Sequence, residues 1–391
     1  MQVLYISQKP AYPIVDGGSF AINRFLDDLN EQVNGQIDYL VISTKKHPFD
    51  ATFQALTKKD QIKFHPIELN TALQLFPLLS SFFSKLPYNL LRYKKDVLGQ
   101  KIEELLEKND YDYVFLDGFY ASAYLDKLRS LSKAKIIYRS HNIEKQIWTD
   151  YARTEKNIVK RLFLNRLAKN LGYYEAAIVE KVDFIAAICQ TDFDYFKQYS
   201  STKIHYVPVS LLPVTPAETI KKNSLCFIGN FGWFPNVDAI NWFIKNVFTS
   251  LQKRYPDLTF HIAGFGSKEV FRTTKIAGVI VYGSVSDASE FLKTHGIFVS
   301  PIRIGSGIKI KVLEAMNAAV PVVLSQKSAE GINLSDKLSS FKTKEEAIDQ
   351  LSSLLDSPMK LNENRDAVLG IIKEQFTQEI AIQNLKTIFN A

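Results

Sequence analysis

Short runs of β-branched and aromatic residues alternate with longer helical patterns through both halves of the chain, and the alternation restarts after a proline-rich break. That rhythm marks parallel strands wound with crossover helices, and its restart argues for two such units in tandem. In the first half the strand candidates are residues 3–7, 39–43, 113–117, 135–139, 184–189 and 204–207. Helical spacing marks 22–29, 98–108 and the long stretch 157–181, where Leu162, Leu167, Leu171 and Tyr174 recur. Pro208, Pro213 and Pro216, with Lys221 and Lys222 behind them, then read as a linker. A second series follows, with strands expected at 225–229, 258–263, 279–282, 298–300 and 322–324. The expected division is 1–210, 211–363 and a C-terminal amphipathic segment, 364–391, with Val368, Ile371, Phe376, Ile380 and Leu385 on its apolar side. Two domains also suit the length, because 391 residues exceed the ~250–300 at which single cores stop growing.

Composition narrows the classes. With 46% hydrophobic and 23% charged residues, neither extended disorder nor a fibrous repeat fits. Cys189 and Cys226 lie in apolar runs that read as buried strands, which fits a reducing compartment. Residues 1–7 carry no basic leader and begin as a strand, so a cytoplasmic location is expected. The most apolar stretch, 73–83, holds Pro77 and falls short of the ~18 residues a spanning helix needs. A net charge of +7 suits an anionic partner. Nucleic acid is not expected, since the lysines accompany no helix-turn-helix, zinc-finger or aromatic RNA-binding signature.

The richest segment is 299–316. A strand ends at Pro301, Gly305-Ser306-Gly307 forms a loop, and a helix opens near Ile308. Unpaired backbone N–H groups and the helix dipole make such a junction an anion site. Arg303, Lys309 and Lys311 add positive charge for phosphate oxygens, and Glu314 is a carboxylate able to accept hydrogen bonds from two adjacent hydroxyls. Taken alone, the same residues describe a tight turn with solvated lysines.

Three further segments stand in a consistent order. Gly17-Gly18 follows the first strand, 139–144 (Arg139, Ser140, His141, Asn142, Ile143, Glu144) follows a later one, and 227–238 opens the second series with Gly229-Asn230. With 299–331, including Pro321-Val322-Val323 and Ala329-Glu330-Gly331, these resemble retaining glycosyltransferases of the GT-B fold, family 4. The resemblance implies an α/β chain of two Rossmann-like doubly wound domains facing a central cleft. The N-terminal domain would bind the acceptor, the C-terminal domain a nucleotide-sugar, and segment 364–391 would pack back towards the first domain. It implies Glu314 on the nucleotide ribose, amides of Gly305 to Ile308 with Lys309 or Lys311 on the diphosphate, and His141 on the donor sugar. Gly17 and Gly18 would border donor phosphate and acceptor, and Gly264 would stand near the base. Glu144 either orients His141 or caps a helix.

Two departures bear on mechanism. The first of the family's paired glutamates would fall at Ser306, and 230–236 lacks the expected basic residue, leaving Lys309 and Lys311 to supply its charge. The implied activity is a metal-independent, retaining sugar transfer to a glycan or lipid-linked acceptor in cell-surface polysaccharide assembly, with no cofactor. Asp110/Asp112 and Asp192/Asp194, spaced as metal-binding pairs, read as structural because one precedes a strand and the other opens a helix. The alternatives are a non-catalytic nucleotide-sugar or glycan-binding subunit and a nucleotide-sugar epimerase. Apolar and aromatic residues interleaved with Lys85 and Arg92 in 73–92, and a basic concentration from Lys145 to Lys169, suggest an anionic membrane surface as a further partner.

Overall fold

The first strand, β1 (Val3–Ser7), is buried at all five positions, so both of its faces are covered, as in a sheet wrapped by crossover helices. The computed structural model describes residues 1–52, 61–72, 87–200, 203–334, 336 and 338–391. They form two units, Met1–Ser210 with Gln378–Ala391, and Leu211–Thr377. In the first unit β2 (Ile37–Thr44), β3 (Ile62–Leu69), β4 (Tyr113–Asp117), β5 (Lys135–Ser140), β6 (Phe184–Ala187) and β7 (Ile204–Tyr206) join β1. The order is β3-β2-β1-β4-β5-β6-β7, parallel throughout. Val3 stands between Ile37 of β2 and Tyr113 of β4.

The second unit repeats the plan with β8 (Ser224–Ile228), β9 (Thr259–Ala263), β10 (Val279–Gly283), β11 (Ile297–Ser300) and β12 (Val322–Leu324). Its order is β10-β9-β8-β11-β12. In each sheet the winding direction reverses beside its first strand, between β1 and β4 and between β8 and β11. Loops leaving those neighbours diverge, which opens a crevice at the carboxyl ends of the strands.

Ile22, Phe25, Leu26 and Leu29 of helix Gly17–Gln32 cover one face of the first sheet, against Val3, Tyr5 and Phe115. Leu385 and Ile388 of the last helix, Gln378–Phe389, complete that same core. The other face is covered by Leu98 and Ile102 of Asp96–Lys108, Leu128 of Leu125–Leu131, and Leu171 and Ile178 of Ile158–Lys181.

Three sequence expectations need amendment. Strand β3 was not anticipated, because Pro66 interrupts it and its exposed positions alternate with buried ones; both traits suit an edge strand. The amphipathic pattern across 364–389 is two helices, Pro358–Gln375 and Gln378–Phe389. Between them the backbone leaves the helical path to pair with Leu211, whose N–H donates to the Phe376 carbonyl at 2.8 Å. The earlier helix stays with the second unit: the Asn364 amide donates to the Val322 carbonyl at 3.1 Å and accepts from the Val322 N–H at 2.9 Å, satisfying the edge of β12. The segment that returns to the first unit therefore starts at Gln378 rather than 364. Cys189 lies past the end of β6, at the N-cap of helix Gln190–Lys197, while Cys226 is in β8; both are buried free thiols.

His261 of β9 and His295 pack with ring centroids 4.1 Å apart, and His261 is hydrogen-bonded to Tyr282 and Thr259 at 2.9 Å each. Burial, with His295 and Lys221 nearby, depresses His261 from its ordinary 6.5 to about 4. Between those two values the unfolded chain binds a proton that the folded protein refuses, so stability falls as pH drops. Between pH 7 and 5 the wild type should lose on the order of 1 kcal/mol more unfolding free energy than His261→Gln. Urea denaturation at both pH values checks this; equal losses in the two proteins would refute it.

Candidate functional site

The loops at the carboxyl ends of β8, β9 and β10 are tied to one another by main-chain bonds. Gly229 N–H donates to Ala263 O at 3.1 Å, Phe231 N–H to Phe265 O at 2.8 Å, and Gly264 N–H to Gly283 O at 2.7 Å. Gly264 has φ +123°, and a Cβ placed there would stand 1.9 Å from the Gly229 carbonyl oxygen. Only glycine meets both demands.

Asn236, in the first turn of helix Phe234–Phe243, holds this loop from inside. Its Nδ2 donates to Asn230 O at 2.7 Å and its Oδ1 accepts from Lys311 Nζ at 2.5 Å. The Lys311 ammonium also lies over the Phe227 ring, 4.2 Å from its centroid. The cation lacking from 230–236 is thus delivered to that loop from a distant segment. Burial, reinforced by Lys309, lowers Lys311 to about 7, and Glu314 one turn further along the same helix, Ile310–Asn317, is raised by burial to about 7.

Gly305 and Gly307, with φ +118° and +73°, turn the chain from β11 into that helix. Ser306 is buried between them. Lys309 folds back under the loop, donating to Gly307 O at 2.6 Å and standing 3.9 Å from Glu330. Ile308 is buried just ahead of it. Arg303 grips Asp238 with both arms of its guanidinium, at 3.0 and 2.6 Å, above the Trp242 ring. Of the predicted cations, Lys311 meets the Gly229 loop, Lys309 braces the Gly-Ser-Gly loop, and Arg303 is committed to a carboxylate.

A second constellation sits at the switch point of the first sheet. Asp117, the last residue of β4, is fully buried and accepts from Tyr5 OH, from Arg139 Nη1 at 3.2 Å and from His141 Nε2. Burial opposes the charge of Asp117, yet Arg139 and His141 hold its carboxyl at about 2. His141 is lowered from its ordinary value, chiefly by burial, and Asp117 pulls the other way. The ionised carboxylate fixes the ring by accepting a hydrogen bond from Nε2. Arg139 is braced over Phe25, 4.3 Å from the ring centroid.

Gly17 and Gly18 are the first residues of helix Gly17–Gln32. Asp16 caps it in a reciprocal box with Ser19 and pairs with Lys9 Nζ at 2.6 Å. A Cβ on Gly18 would lie 2.4 Å from that ammonium, so Gly18 makes room for Lys9. Glu144 is not the cap of helix Glu144–Thr154. Glu175, from helix Ile158–Lys181, accepts from the Glu144 and Lys145 N–H groups at 2.6 and 3.4 Å. Glu144 instead accepts from Trp148 Nε1 at 3.2 Å, and burial raises it to about 7. Asp112 accepts from Gln2 N–H at 2.7 Å and Asp192 from Ser140 Oγ at 3.1 Å, both structural bonds. Among the described residues no group of three or more His, Cys, Asp or Glu side chains is placed to hold a metal ion, and no helix is long and apolar enough to cross a membrane. Residues 73–86, most of the suggested membrane segment, lie outside the described residues.

Sequence reasoning missed Asn236, Asp117, Tyr5 and Lys9 as members of these clusters. Asp117 was open to discovery, since a carboxylate ending a strand at a switch point is a polar residue where apolar ones are the rule. Asn236 carried no such mark.

Residues 222–357 match the family described as glycosyl transferases group 1. They include the whole of the Gly229, Gly264 and Gly305 loop cluster. The second unit carries the match to group 1 glycosyl transferases, and the chain as a whole has the GT-B fold. A protein described as an uncharacterized 44.6 kDa protein in the cps region of Klebsiella pneumoniae is 23% identical, covering 84% of each chain. Among solved structures, the chain resembles a TarM variant from S. aureus in complex with fondaparinux, α-GlcNAc-glycerol and UDP. Identity is 12%, coverage 100% of both chains and the TM-score 0.68. The pneumococcal O-GlcNAc transferase GtfA, in complex with UDP and GlcNAc, gives 13% identity, coverage of 100% of this chain and 99% of that one, and a TM-score of 0.66. At these identities the structures establish the shared fold.

The groups around Gly229 change charge in the same pH range. As pH falls from 8 to 6, Lys311 gains its proton and Glu314 loses its charge, both near pH 7, and both changes favour an anion. Sulfate, whose own charge is constant over this range, should therefore bind more tightly at pH 6 than at 8, by roughly 10-fold. Lys311→Met should flatten the dependence. Calorimetric titration at the two pH values checks it, and a wild-type affinity that rises with pH would contradict the assignment.

Proposed function

We propose that the chain is a retaining, family 4 enzyme that moves a sugar from a nucleoside diphosphate donor to a glycan or lipid-linked acceptor during polysaccharide assembly. The observation that carries this reading is the meeting of Lys311, Asn236 and the Gly229 loop beside the Gly-Ser-Gly turn, at the switch point of the second sheet. TarM and GtfA were both solved with UDP, which makes uridine diphosphate the first nucleotide to test. The relative in the cps region supports the polysaccharide context.

In this scheme Lys311 and the amides of Gly305 to Ile308 hold the diphosphate, with Lys309 keeping their loop in shape. Glu314 accepts hydrogen bonds from the two ribose hydroxyls. The bond from the anomeric carbon to the diphosphate oxygen breaks as the acceptor oxygen bonds to the same face, and the acceptor proton passes to the departing oxygen. Protein groups carry the departing charge, so the scheme requires no metal. His141, kept neutral and oriented by Asp117, is assigned a hydrogen bond to the donor sugar. Ser306 in place of the first family glutamate is compatible with this scheme, because leaving-group stabilisation rests on the lysine and the loop amides.

Glu314→Ala should weaken nucleotide binding by roughly 10- to 100-fold, the value of a lost hydrogen bond to a charged group. His141→Ala should lower turnover by a similar factor with nucleotide affinity nearly unchanged. Thermal-shift and calorimetric titrations with UDP, GDP and ADP measure the first. Donor-consumption assays measure the second, and the anomeric proton of the product reports retention. Nucleotide binding with no donor consumption under any acceptor would favour a binding subunit, and donor isomerisation without acceptor an epimerase.

A further inference from the structure

Helix Ile158–Lys181 is apolar on two opposite sides. One side, with Leu164, Leu167, Leu171 and Ile178, is buried in the first unit. The other carries Ile158, Leu162 and Tyr173, each 64% exposed, and Val159, 77% exposed. At about 100° per residue, Ile158, Leu162, Lys169 and Tyr173 fall along one line, with Val159 and Arg166 beside it. Residues 156–162 are exposed without a break. From Arg153 to Lys169 there are six basic residues and a single acid, Glu155, which pairs with Lys160 at 2.6 Å. Lys169 extends over the Tyr173 ring, 5.7 Å from its centroid.

Single surface aliphatics are ordinary, but three together inside a basic rim are not. We propose that this ridge docks the first unit on an anionic lipid bilayer. Ile158, Val159 and Leu162 enter the interfacial layer, while Arg161, Arg166 and Lys169 meet lipid phosphates and Tyr173 lies at headgroup level. The occupant follows from the combination of groups. A nucleic acid would satisfy the cations and leave three aliphatic side chains in water. A second copy packed across a two-fold axis would bring two rows of like charge together. An anionic bilayer alone offers phosphate and hydrocarbon within one contact. The inference does not depend on the donor assignment.

The test is co-sedimentation of the full chain with phosphatidylglycerol vesicles and, separately, phosphatidylcholine vesicles. Binding is expected to the first and not to the second, and to be lost in about 1 M NaCl, where the Debye length is ~3 Å. Changing Ile158, Val159 and Leu162 together to Ser should weaken it by roughly 10-fold or more, although these exposed positions leave folding untouched. Reversing Arg161, Arg166 and Lys169 to Glu should weaken it by roughly 100-fold or more. Far-UV circular dichroism and a thermal unfolding midpoint, unchanged in both variants, show that they are folded. No sedimentation with phosphatidylglycerol overturns the proposal. So does wild-type binding by the serine variant, or equally strong binding to a mixed RNA. A dimer in sedimentation velocity that the serine variant dissociates would assign the ridge to a second copy and likewise overturn it.

Discussion

The reversal of winding beside the first strand of each sheet governs where chemistry can occur in this protein. Side chains in the middle of these strands are packed on both faces, so polar groups are costly there unless paired. Where two neighbouring strands send their loops in opposite directions, the backbone itself leaves space, and its N–H groups stay available for a ligand. Both charged clusters lie at such positions, Asp117 at the end of β4 and the Gly229 loop at the end of β8.

The two clusters handle burial differently. Around Asp117 the charge survives because Arg139 and His141 stand beside it, and the result is a fixed scaffold for an imidazole. Around Lys311 the partners are a neutral amide and an aromatic face, which orient an ammonium without neutralising it. Glu314, one turn away on the same helix, is the carboxylate that acts on it. Lys309 and Arg303 differ in their direct partners, since loop carbonyls hold one and a carboxylate holds the other.

Much of this was legible in the residues. Ten or so apolar runs located the strands, because a parallel sheet buried on both faces needs continuous hydrophobic stretches. Strand β3 escaped because an edge strand obeys a different rule and tolerates Pro66. The Gly305-Ser306-Gly307 turn was visible as a strand-to-helix junction, but the division of labour among Arg303, Lys309 and Lys311 was not. All three are cations within nine residues, and which one reaches the Gly229 loop depends on helix phase and on Asn236, far away in sequence. The boundary near 364 failed for a related reason. Amphipathic periodicity reports that a helix has a buried face but not which core buries it, and Asn364 is tied to Val322.

The last helix has a consequence for how the chain comes into being. Leu385 and Ile388 belong to the same core as Val3, Tyr5 and Phe25, so the first unit is assembled from both ends of the described chain. During synthesis the leading segment leaves the ribosome with part of its hydrophobic surface uncovered, and it stays so while the entire second unit is made. The second unit is contiguous, Leu211–Thr377, and can close first although it is translated later. Birth order and folding order are thereby uncoupled, since the core of the first unit is complete only once helix Gln378–Phe389 has been made.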